Sequence, residues 1–389
     1  MHSKVAAFLK SPKLLRAAIV LFVLQGVFLS IVIPYKAPSD EEYHFRFTQY
    51  YAHRSILAGP VIAHQTDNFD LGDIQRPPGY LYHYLSSFVL RIVEAFTSST
   101  NVQVMVLRFI NVGMGALILL MVIRLLRRLG ARGLTINLTV AWLACTTMFV
   151  WLFAGLNYDN LAIVWFFVLL HLALSLYEKL NIKQVLLMIA VTLALMITKE
   201  TFLPVILIIY LLFAFGVLRK IGFMKLWRQI LQSIQSNWKR PKTRLALAGL
   251  SILVVVMFGL VGERYGQNYL TYQRTTPACN KVHTEDECMQ HGIYRRNTGQ
   301  RREYVVYLQN GGKPDMSFSE FAVKWVDLIY ERTYAYRGMN TIRPTNEAQV
   351  TALVTAPVVF GLAILGWRKR RYSATEKALA ILAVSYSVL

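Results

Sequence analysis

The segment QVMVLRFINVGMGALILLMVI at residues 103–123, followed by RLLRRLGAR at 124–132, decides the fold. A helix over this apolar block rises ~1.5 Å per residue and reaches about 30 Å, the thickness of the hydrocarbon core of a bilayer. Four arginines follow the block at once, and basic residues at the end of an apolar block are typical of cytoplasmic loops. The segment therefore predicts a transmembrane helix that ends on the cytoplasmic side.

Further apolar blocks along the chain predict an all-α integral membrane protein. Hydrophobic residues make up 55% of the 389 residues and charged residues only 16%, against about 25% charged in soluble domains. Apolar blocks of this length cross a bilayer as helices, which satisfy their own backbone hydrogen bonds. The other blocks are 17–34, 78–97, 134–154, 160–177, 184–198, 200–218, 245–262, 348–367 and 376–389.

The block at 78–97 decides the predicted topology. With a cytoplasmic N-terminus and every block counted as a span, the basic segments 124–132, 219–244 and 368–371 all fall outside, against the positive-inside rule. If 78–97 is instead an interfacial or re-entrant helix, all three segments move inside. Its tyrosines and charged residues also suit the headgroup level of a membrane. We therefore predict about nine transmembrane helices, with interfacial helices in the first outer loop.

The predicted organisation follows from this topology. The segments are the cytoplasmic N-terminus and first span (1–34), an outer loop with an acidic motif and the interfacial helix (35–102), a five-span bundle (103–218), a basic cytoplasmic loop (219–244), a span (245–262), a long outer loop (263–347) and two C-terminal spans (348–389). The final block has no polar flank, so we expect the last span to be short or cut off. We expect the protein in the plasma membrane, with loops 35–102 and 263–347 outside.

The net charge of +21 indicates a membrane partner rather than a nucleic acid. The basic residues gather at the ends of apolar blocks, where they fix topology and attract anionic lipid headgroups. Residues 219–244 contain eight Lys and Arg and no Asp or Glu, with Trp227 and Trp238 interleaved. This pattern predicts an amphipathic helix on the cytoplasmic membrane surface. Cys279 and Cys288 can form a disulfide if their loop faces an oxidising compartment.

The first candidate site is the acidic motif Pro38-Ser39-Asp40-Glu41-Glu42-Tyr43-His44, directly after the first span. On a helix, Asp40 and His44 share one face at i,i+4 spacing. A carboxylate here can act as a general base or bind a hard cation. The alternative is a capping box, in which Ser39 caps a helix and Glu42 is its partner. The sequence leaves both interpretations open.

Two charged residues near other span ends are further candidates. Lys199 lies next to Glu200 between two short apolar blocks, where a charge is often paired or functional. We interpret Lys199 as a phosphate-binding cation, with neutralisation by Glu200 or snorkelling as the alternative. Asp159 begins a span, and it is either a helix cap or a second acid that faces the same outer cavity as Asp40.

Arginines of the two outer loops are the remaining candidates. Arg76 precedes Pro77-Pro78-Gly79-Tyr80 and can hold a lipid phosphate; the alternative is a loop-to-helix junction with a tyrosine anchor. Arg337 comes shortly before a predicted span, and it is our choice from the basic second loop for an arginine that clamps a pyrophosphate.

The order of these features over about residues 15–220 resembles the GT-C superfamily of integral-membrane glycosyltransferases. In that superfamily an acidic motif follows the first span, and interfacial helices opened by a His/Arg-Pro-Pro motif come next. A basic inner loop and an outer turn with another Asp follow. The corresponding residues are Asp40-Glu41, Arg76-Pro77-Pro78-Gly79-Tyr80, Arg124–Arg132 and Asp159. The Pro-x-Asp-Glu-x-x-His form of the first motif is similar to one bacterial branch of the superfamily.

The resemblance implies transfer of a sugar from a polyprenyl-phosphate donor to a glycan, lipid or protein acceptor at the outer membrane face. It makes Asp40 the general base, with Glu41 as its nearest rival. A divalent cation, Mg²⁺ or Mn²⁺, is the implied alternative, with Asp40 and Asp159 as its candidate ligands. The implied substrate-binding and phosphate-binding residues are Arg76, Lys199, Arg337, Asp159, His44 and Tyr80.

Two other function classes remain open from the sequence. A transporter or flippase for a lipid-linked or anionic substrate predicts repeated halves and charges deep in the membrane. The sequence shows no such repeat, and its clearest charges lie toward the outer boundary. A non-catalytic assembly protein predicts that Asp40 and Lys199 vary without effect. We therefore favour the glycosyltransferase.

Overall fold

The computed structural model describes residues 8–38, 40–54, 79–239, 241–290 and 294–334. Every regular element in these ranges is a helix, which confirms the predicted all-α fold. The predicted spans at 348–367 and 376–389 lie outside the described residues, as do Arg76 and Arg337.

The described ranges contain a series of α-helices. In chain order they are α1 (Pro12–Val32), α2 (Glu41–Ala52), α3 (Leu81–Glu94), α4 (Thr100–Arg128), α5 (Gly133–Cys145), α6 (Thr147–Ala154), α7 (Tyr158–Glu178), α8 (Ile182–Met196), α9 (Leu203–Ile221), α10 (Phe223–Trp238) and α11 (Pro241–Val261). A 3₁₀ turn, Glu200–Phe202, joins α8 to α9. After α11 come a π-helical turn (Gly262–Gly266), α12 (Gln267–Tyr272), α13 (Cys279–Val282), α14 (Glu285–Gln290), a second π-helical turn (Arg295–Gly299), α15 (Gln300–Gln309) and α16 (Phe318–Tyr334).

Five helical segments of the described ranges are long and apolar enough to cross a membrane. They are α1, α4, α7, the segment Glu200–Ile221 that includes α9, and the segment Pro241–Tyr272 that includes α11. The pair α5 and α6, bent by 61°, is a sixth if it counts as one span. Helix α8 is apolar but has only 15 residues, about 22 Å in length, short of the ~30 Å core. The prediction of about nine spans is therefore not confirmed beyond these five to six.

Apolar side chains point outward from the long helices, as a bilayer requires. Leu24 and Phe28 on α1, Leu211 and Phe215 on α9, and Val255 on α11 each expose more than half of their surface. Water-soluble proteins rarely leave large apolar patches uncovered. This surface identifies the chain as a membrane protein, in agreement with the sequence.

The helices of the predicted first outer loop are not candidate spans. Helices α2 and α3 have 12 and 14 residues, and neither has the length and hydropathy of a span. They pack against each other, with Phe47 and Tyr51 of α2 in one cluster with Tyr80 at the start of α3. The block 78–97, predicted as a non-spanning helix, thus contains α3.

Glycine allows the close approach of α1, α4 and α6. Phe22 of α1 and Phe153 of α6 meet edge to face, with their ring centres 6.3 Å apart. A Cβ atom on Gly115 of α4 would collide with both rings. Small residues at such crossings let membrane helices gain van der Waals contact where no hydrophobic driving force acts between them.

One buried ion pair joins the predicted first outer loop to the bundle. Arg108 lies two turns into α4 and is 2% exposed, and Glu41 begins α2 and is 0% exposed. Arg108 Nε and Nη2 donate to the two Glu41 carboxylate oxygens at 2.8 and 2.6 Å. Its Nη1 donates to the carbonyl oxygens of Ser30 and Ile33 at 3.0 and 2.7 Å. The guanidinium therefore ties α4, α2 and the end of α1 together.

A buried polar network lies between α3, α4 and α7. Asn111 Nδ2 donates to Tyr82 Oη at 2.8 Å, and Asn160 Nδ2 donates to Asn111 Oδ1 at 2.8 Å. Polar groups buried without partners are costly, so this network favours one orientation of α3 against the bundle. The loop after α11 contains a disulfide between Cys279 and Cys288, which connects α13 to α14.

Substituting Glu41→Gln should destabilise the protein by about 3–5 kcal/mol, because it leaves the Arg108 charge buried without its counter-charge. The midpoint of thermal unfolding in detergent measures the loss. Glu42→Gln is the matched control, since Glu42 pairs with Lys36 and Arg46 at the surface, and exposed pairs contribute less than about 1 kcal/mol. Equal losses for the two variants would contradict the role of the buried pair.

Candidate functional site

The predicted site lies where the ends of α1, α6 and α8 meet the starts of α2 and α7. Asp40 is the N-cap residue of α2, with φ 60° and ψ 7°, in the left-handed region. Its side chain makes no capping hydrogen bond, and the residue is exposed. A non-glycine residue in this region costs about 1–3 kcal/mol and persists only where its surroundings hold it. The adjacent Glu41–Arg108 pair supplies that hold.

The other two acids of the motif have structural partners. Glu42 Oε1 accepts from Lys36 Nζ at 2.8 Å and from Arg46 Nη2 at 2.7 Å. Its carboxylate is therefore engaged in two ion pairs at the surface. Ser39, the other half of the predicted capping box, lies outside the described residues. Both oxygens of Glu41 are occupied by Arg108, and backbone N–H groups of residues 36 and 156 also donate to them.

Lys199 and Asp159 form an ion pair between two span ends. Lys199 Nζ donates to Asp159 Oδ1, and the side chains are 19% and 28% exposed. The cap of α7 is Asn157, whose Oδ1 accepts from the backbone N–H of Asp159 at 2.9 Å. The interpretation of Asp159 as a helix cap is therefore wrong, because its carboxylate faces Lys199 instead.

Tyr158 stands at the centre of the predicted residues. Lys199 Nζ lies 4.7 Å from the centre of its ring, and the His44 ring centre lies 4.9 Å away. Three carboxylates are close enough for their charges to act on the Tyr158 hydroxyl: Asp40, Asp159 and Glu200. The structure thus brings Lys199, Asp159 and His44, from three separate segments of the chain, to one aromatic ring, and the charge of Asp40 also acts on its hydroxyl. We refer to this group as the Tyr158 cluster.

His44 and His83 form a buried pair beside Tyr158. His44 Nδ1 and His83 Nε2 are 2.9 Å apart, and the two rings stack with their centres 5.2 Å apart. Burial lowers the pKa of His44 to about 3, and the Lys199 charge adds to this effect. Burial, with His44 adjacent, also holds the pKa of His83 well below its ordinary value. Both rings are therefore neutral at pH 7, and one donates its hydrogen to the other.

Tyr80 lies at the same end of the bundle, inside the packing. Its backbone N–H donates to the Ile197 carbonyl oxygen at 2.8 Å. A Cβ atom on Gly79 would lie 2.5 Å from the Thr198 carbonyl oxygen. Glycine is therefore needed where the segment before α3 packs against the end of α8. Arg264, in the π-helical turn after α11, covers the Tyr80 ring at 4.6 Å, and both residues are fully buried. A substrate would reach the Tyr80 ring only if Arg264 moved.

Sequence reasoning missed three residues of this end: Arg108, Tyr158 and Arg264. Arg108 had a usable signal, because it is a charge inside the apolar block 103–123, and such charges are usually paired or functional. No comparable signal in the sequence marked Tyr158, which lies beside a turn, or Arg264, which lies in a polar loop. Arg76 and Arg337 lie outside the described residues, so their predicted roles stay predictions.

The residues of this end do not fit a divalent cation. Within the described ranges, no three His, Cys, Asp or Glu side chains are arranged to hold a metal ion. Of the two predicted ligands, Asp159 already faces the Lys199 ammonium, which occupies the position of a counter-cation. We therefore derive no step through Mg²⁺ or Mn²⁺.

No protein-family model, curated protein or solved structure matches this chain. The GT-C resemblance rests on the order of its motifs. The chemistry of the Tyr158 cluster provides the structural argument for a function.

Acid should destabilise the protein through the histidine pair. An unfolded histidine takes up a proton near pH 6.5, whereas folded His44 has a pKa of about 3. Below pH 6.5 the unfolded state therefore binds more protons, and stability falls as the pH falls, by about 2 kcal/mol at pH 5 from His44 alone. The unfolding temperature in detergent should be lower at pH 5 than at pH 7.5.

The double variant His44→Gln/His83→Gln removes both rings, so it should show a weaker pH dependence of the unfolding temperature. His53→Gln is the control, because His53 is an exposed histidine that pairs with Glu94. If the double variant kept the full pH dependence, neutral buried histidines would not be its cause.

Proposed function

We propose that this protein is a glycosyltransferase of the plasma membrane, which moves a sugar from a polyprenyl-phosphate donor to an acceptor hydroxyl at the outer face. The observation that carries the proposal is that Lys199, paired with Asp159, lies over the Tyr158 ring at the end of the bundle where the exposed acid Asp40 directly precedes α2. Sugar transfer from a phosphate needs a base for the acceptor hydroxyl and positive charge for the leaving group. The motif order that resembles GT-C enzymes supports the same choice.

Asp40 suits the role of general base better than Glu41. Each Glu41 oxygen already accepts two hydrogen bonds within the protein, which leaves it no free position for the proton of an acceptor. Asp40 is exposed and directly precedes this anchored residue, so its backbone is held at the surface of the protein. A positioned carboxylate of this kind is what general-base catalysis requires.

Lys199 suits the leaving phosphate. An ammonium group has three N–H donors, and the pairing with Asp159 uses one of them and orients Nζ over the Tyr158 ring. The remaining donors can contact phosphate oxygens as negative charge develops there. Arg76 and Arg337 remain the predicted arginines that assist Lys199.

In the proposed step, Asp40 removes the proton of the acceptor hydroxyl as that oxygen bonds to the anomeric carbon. The bond between the anomeric carbon and the phosphate oxygen breaks, and its electron pair leaves with the polyprenyl phosphate. Lys199 stabilises the charge on that phosphate. The neutral pair His44 and His83 supports the Tyr158 ring from the protein side.

Substituting Asp40→Asn should lower sugar transfer at least about 100-fold, because a positioned general base contributes ~10²–10⁴ in rate. The assay uses purified protein in vesicles, labelled polyprenyl-phosphate hexoses and pentoses, and membranes of the expressing cells as the source of acceptor. Label that leaves the donor fraction measures transfer. Lys199→Gln should also reduce transfer. Lys199→Arg, which keeps the positive charge, should retain part of the wild-type transfer.

Glu42→Gln is the matched control for Asp40→Asn, since it removes a charge two residues away and should keep wild-type transfer. Wild-type transfer by Asp40→Asn would exclude Asp40 as the base. If the wild-type protein transferred no label from any of these donors, the proposed reaction would be overturned.

The proposal places the Tyr158 cluster outside and the basic end of the bundle inside. The Cys279–Cys288 disulfide supports this orientation, because disulfides persist in oxidising compartments, and so does the basic segment 219–244. In a Cys145→Ser background, Lys313→Cys should react with a membrane-impermeant maleimide in intact cells, and Arg228→Cys only after permeabilisation. The reverse pattern would place the site on the cytoplasmic face.

A further inference from the structure

The basic end of the bundle carries features that the proposed reaction does not use. Helix α10 lies between α9 and α11, and only one or two residues separate it from the helix on either side. Because α9 and α11 both belong to candidate spans, these short connections hold α10 at the membrane boundary. None of its residues is buried.

Helix α10 has one strongly apolar face. Six large side chains on it are exposed: Phe223, Met224, Trp227, Leu231, Ile234 and Trp238. At 100° per residue these positions fall within a sector of about 100°. A helix with such a face at a membrane boundary lies in the interface between headgroups and acyl chains, so α10 rests in the leaflet at the basic end.

A cavity of about 680 Å³ lies between the polar side of α10, the adjacent ends of α7 and α9, and the turn 179–181 that precedes α8. Its polar lining includes Lys179, Asn181, Lys220, Gln229, Gln232 and Asn237. Ser233 Oγ of α10 accepts from the backbone N–H of Ile182 at 3.0 Å. This bond fastens α10 to the start of α8 and closes one side of the cavity.

The charge of the cavity is positive. Its acid, Glu178, is paired with Arg128 through two hydrogen bonds of 2.8 and 2.6 Å, so the Glu178 charge is already compensated. Lys220 Nζ donates to the Tyr177 carbonyl oxygen at 2.9 Å, which holds one ammonium group at the cavity wall. Lys179 and Lys220 therefore present two cationic charges at the level of lipid headgroups.

We propose that this cavity binds the headgroup of an anionic phospholipid from the leaflet in which α10 lies. The two lysines supply charge for the phosphate, and the amide side chains supply hydrogen bonds for the polar headgroup. The volume is that of a small-molecule site and accommodates a glycerophosphate group. The apolar face of α10 keeps the cavity beside the lipids from which the headgroup comes.

Thermal unfolding of the full-length protein in detergent tests this site. Added phosphatidylglycerol should raise the unfolding temperature with saturation, whereas phosphatidylcholine and inorganic phosphate should not. The variant Lys179→Gln/Lys220→Gln should bind phosphatidylglycerol about thirtyfold more weakly, because this is the effect expected when two lysines near an anionic lipid surface are lost. If that variant has a lowered unfolding temperature without lipid, the single variant Lys179→Gln replaces it. This variant should bind phosphatidylglycerol about fivefold more weakly.

The variant Lys225→Gln/Arg228→Gln is the matched control, because it removes the same charge from α10 outside the cavity lining. It should retain wild-type affinity. Equal weakening by both double variants would show general surface attraction and overturn the site. An equal effect of inorganic phosphate or of phosphatidylcholine would overturn the assignment to an anionic lipid. Asp40 lies at the opposite end, so the outcome is independent of sugar transfer.

Discussion

The buried pair of Arg108 and Glu41 is the interaction on which the arrangement of the candidate site depends. Taking two charges out of water costs several kcal/mol per ion, and only good geometry with further hydrogen bonds offsets that cost. The structure meets both conditions, because the guanidinium is bidentate to Glu41 and also binds carbonyl oxygens at the end of α1. Those carbonyls lie at a helix C-terminus, where they lack intrahelical partners and where a cation is favoured.

The position of the candidate base follows from that pair. Glu41 is the first residue of α2, so anchoring its carboxylate anchors the start of the helix and the residue before it. Asp40 can then occupy a left-handed conformation that it would leave in a free loop. Neutral histidines and a tyrosine ring fill the space behind it, so that Lys199 and Asp159 face the same region without a second buried charge between them.

The two ends of the bundle differ in their chemistry. One end combines acids, neutral histidines and tyrosines with cations that are paired, such as Lys199 with Asp159. The other end is rich in lysine and arginine and carries a helix suited to an anionic membrane surface. Positive charge near a membrane interacts with anionic lipids and fixes topology, which is why we propose that the basic end faces the cytoplasm. The acidic end remains available for a substrate.

The sequence by itself determined the helical membrane class and the division between acidic and basic ends, because the length of an apolar run and the charges beside it are local properties. It also predicted that Asp40, Lys199 and Asp159 lie at one boundary, since successive crossings return these segments to the same side. Only the tertiary structure decided that Glu41 is buried against Arg108, that Asn157 rather than Asp159 caps α7, and that the Tyr158 ring lies among these residues. It also decided that α8 is short and that α5 and α6 bend. A charged side chain pairs with the opposite charge that folding brings near it. Because this partner is distant in the sequence, local sequence patterns do not reveal it.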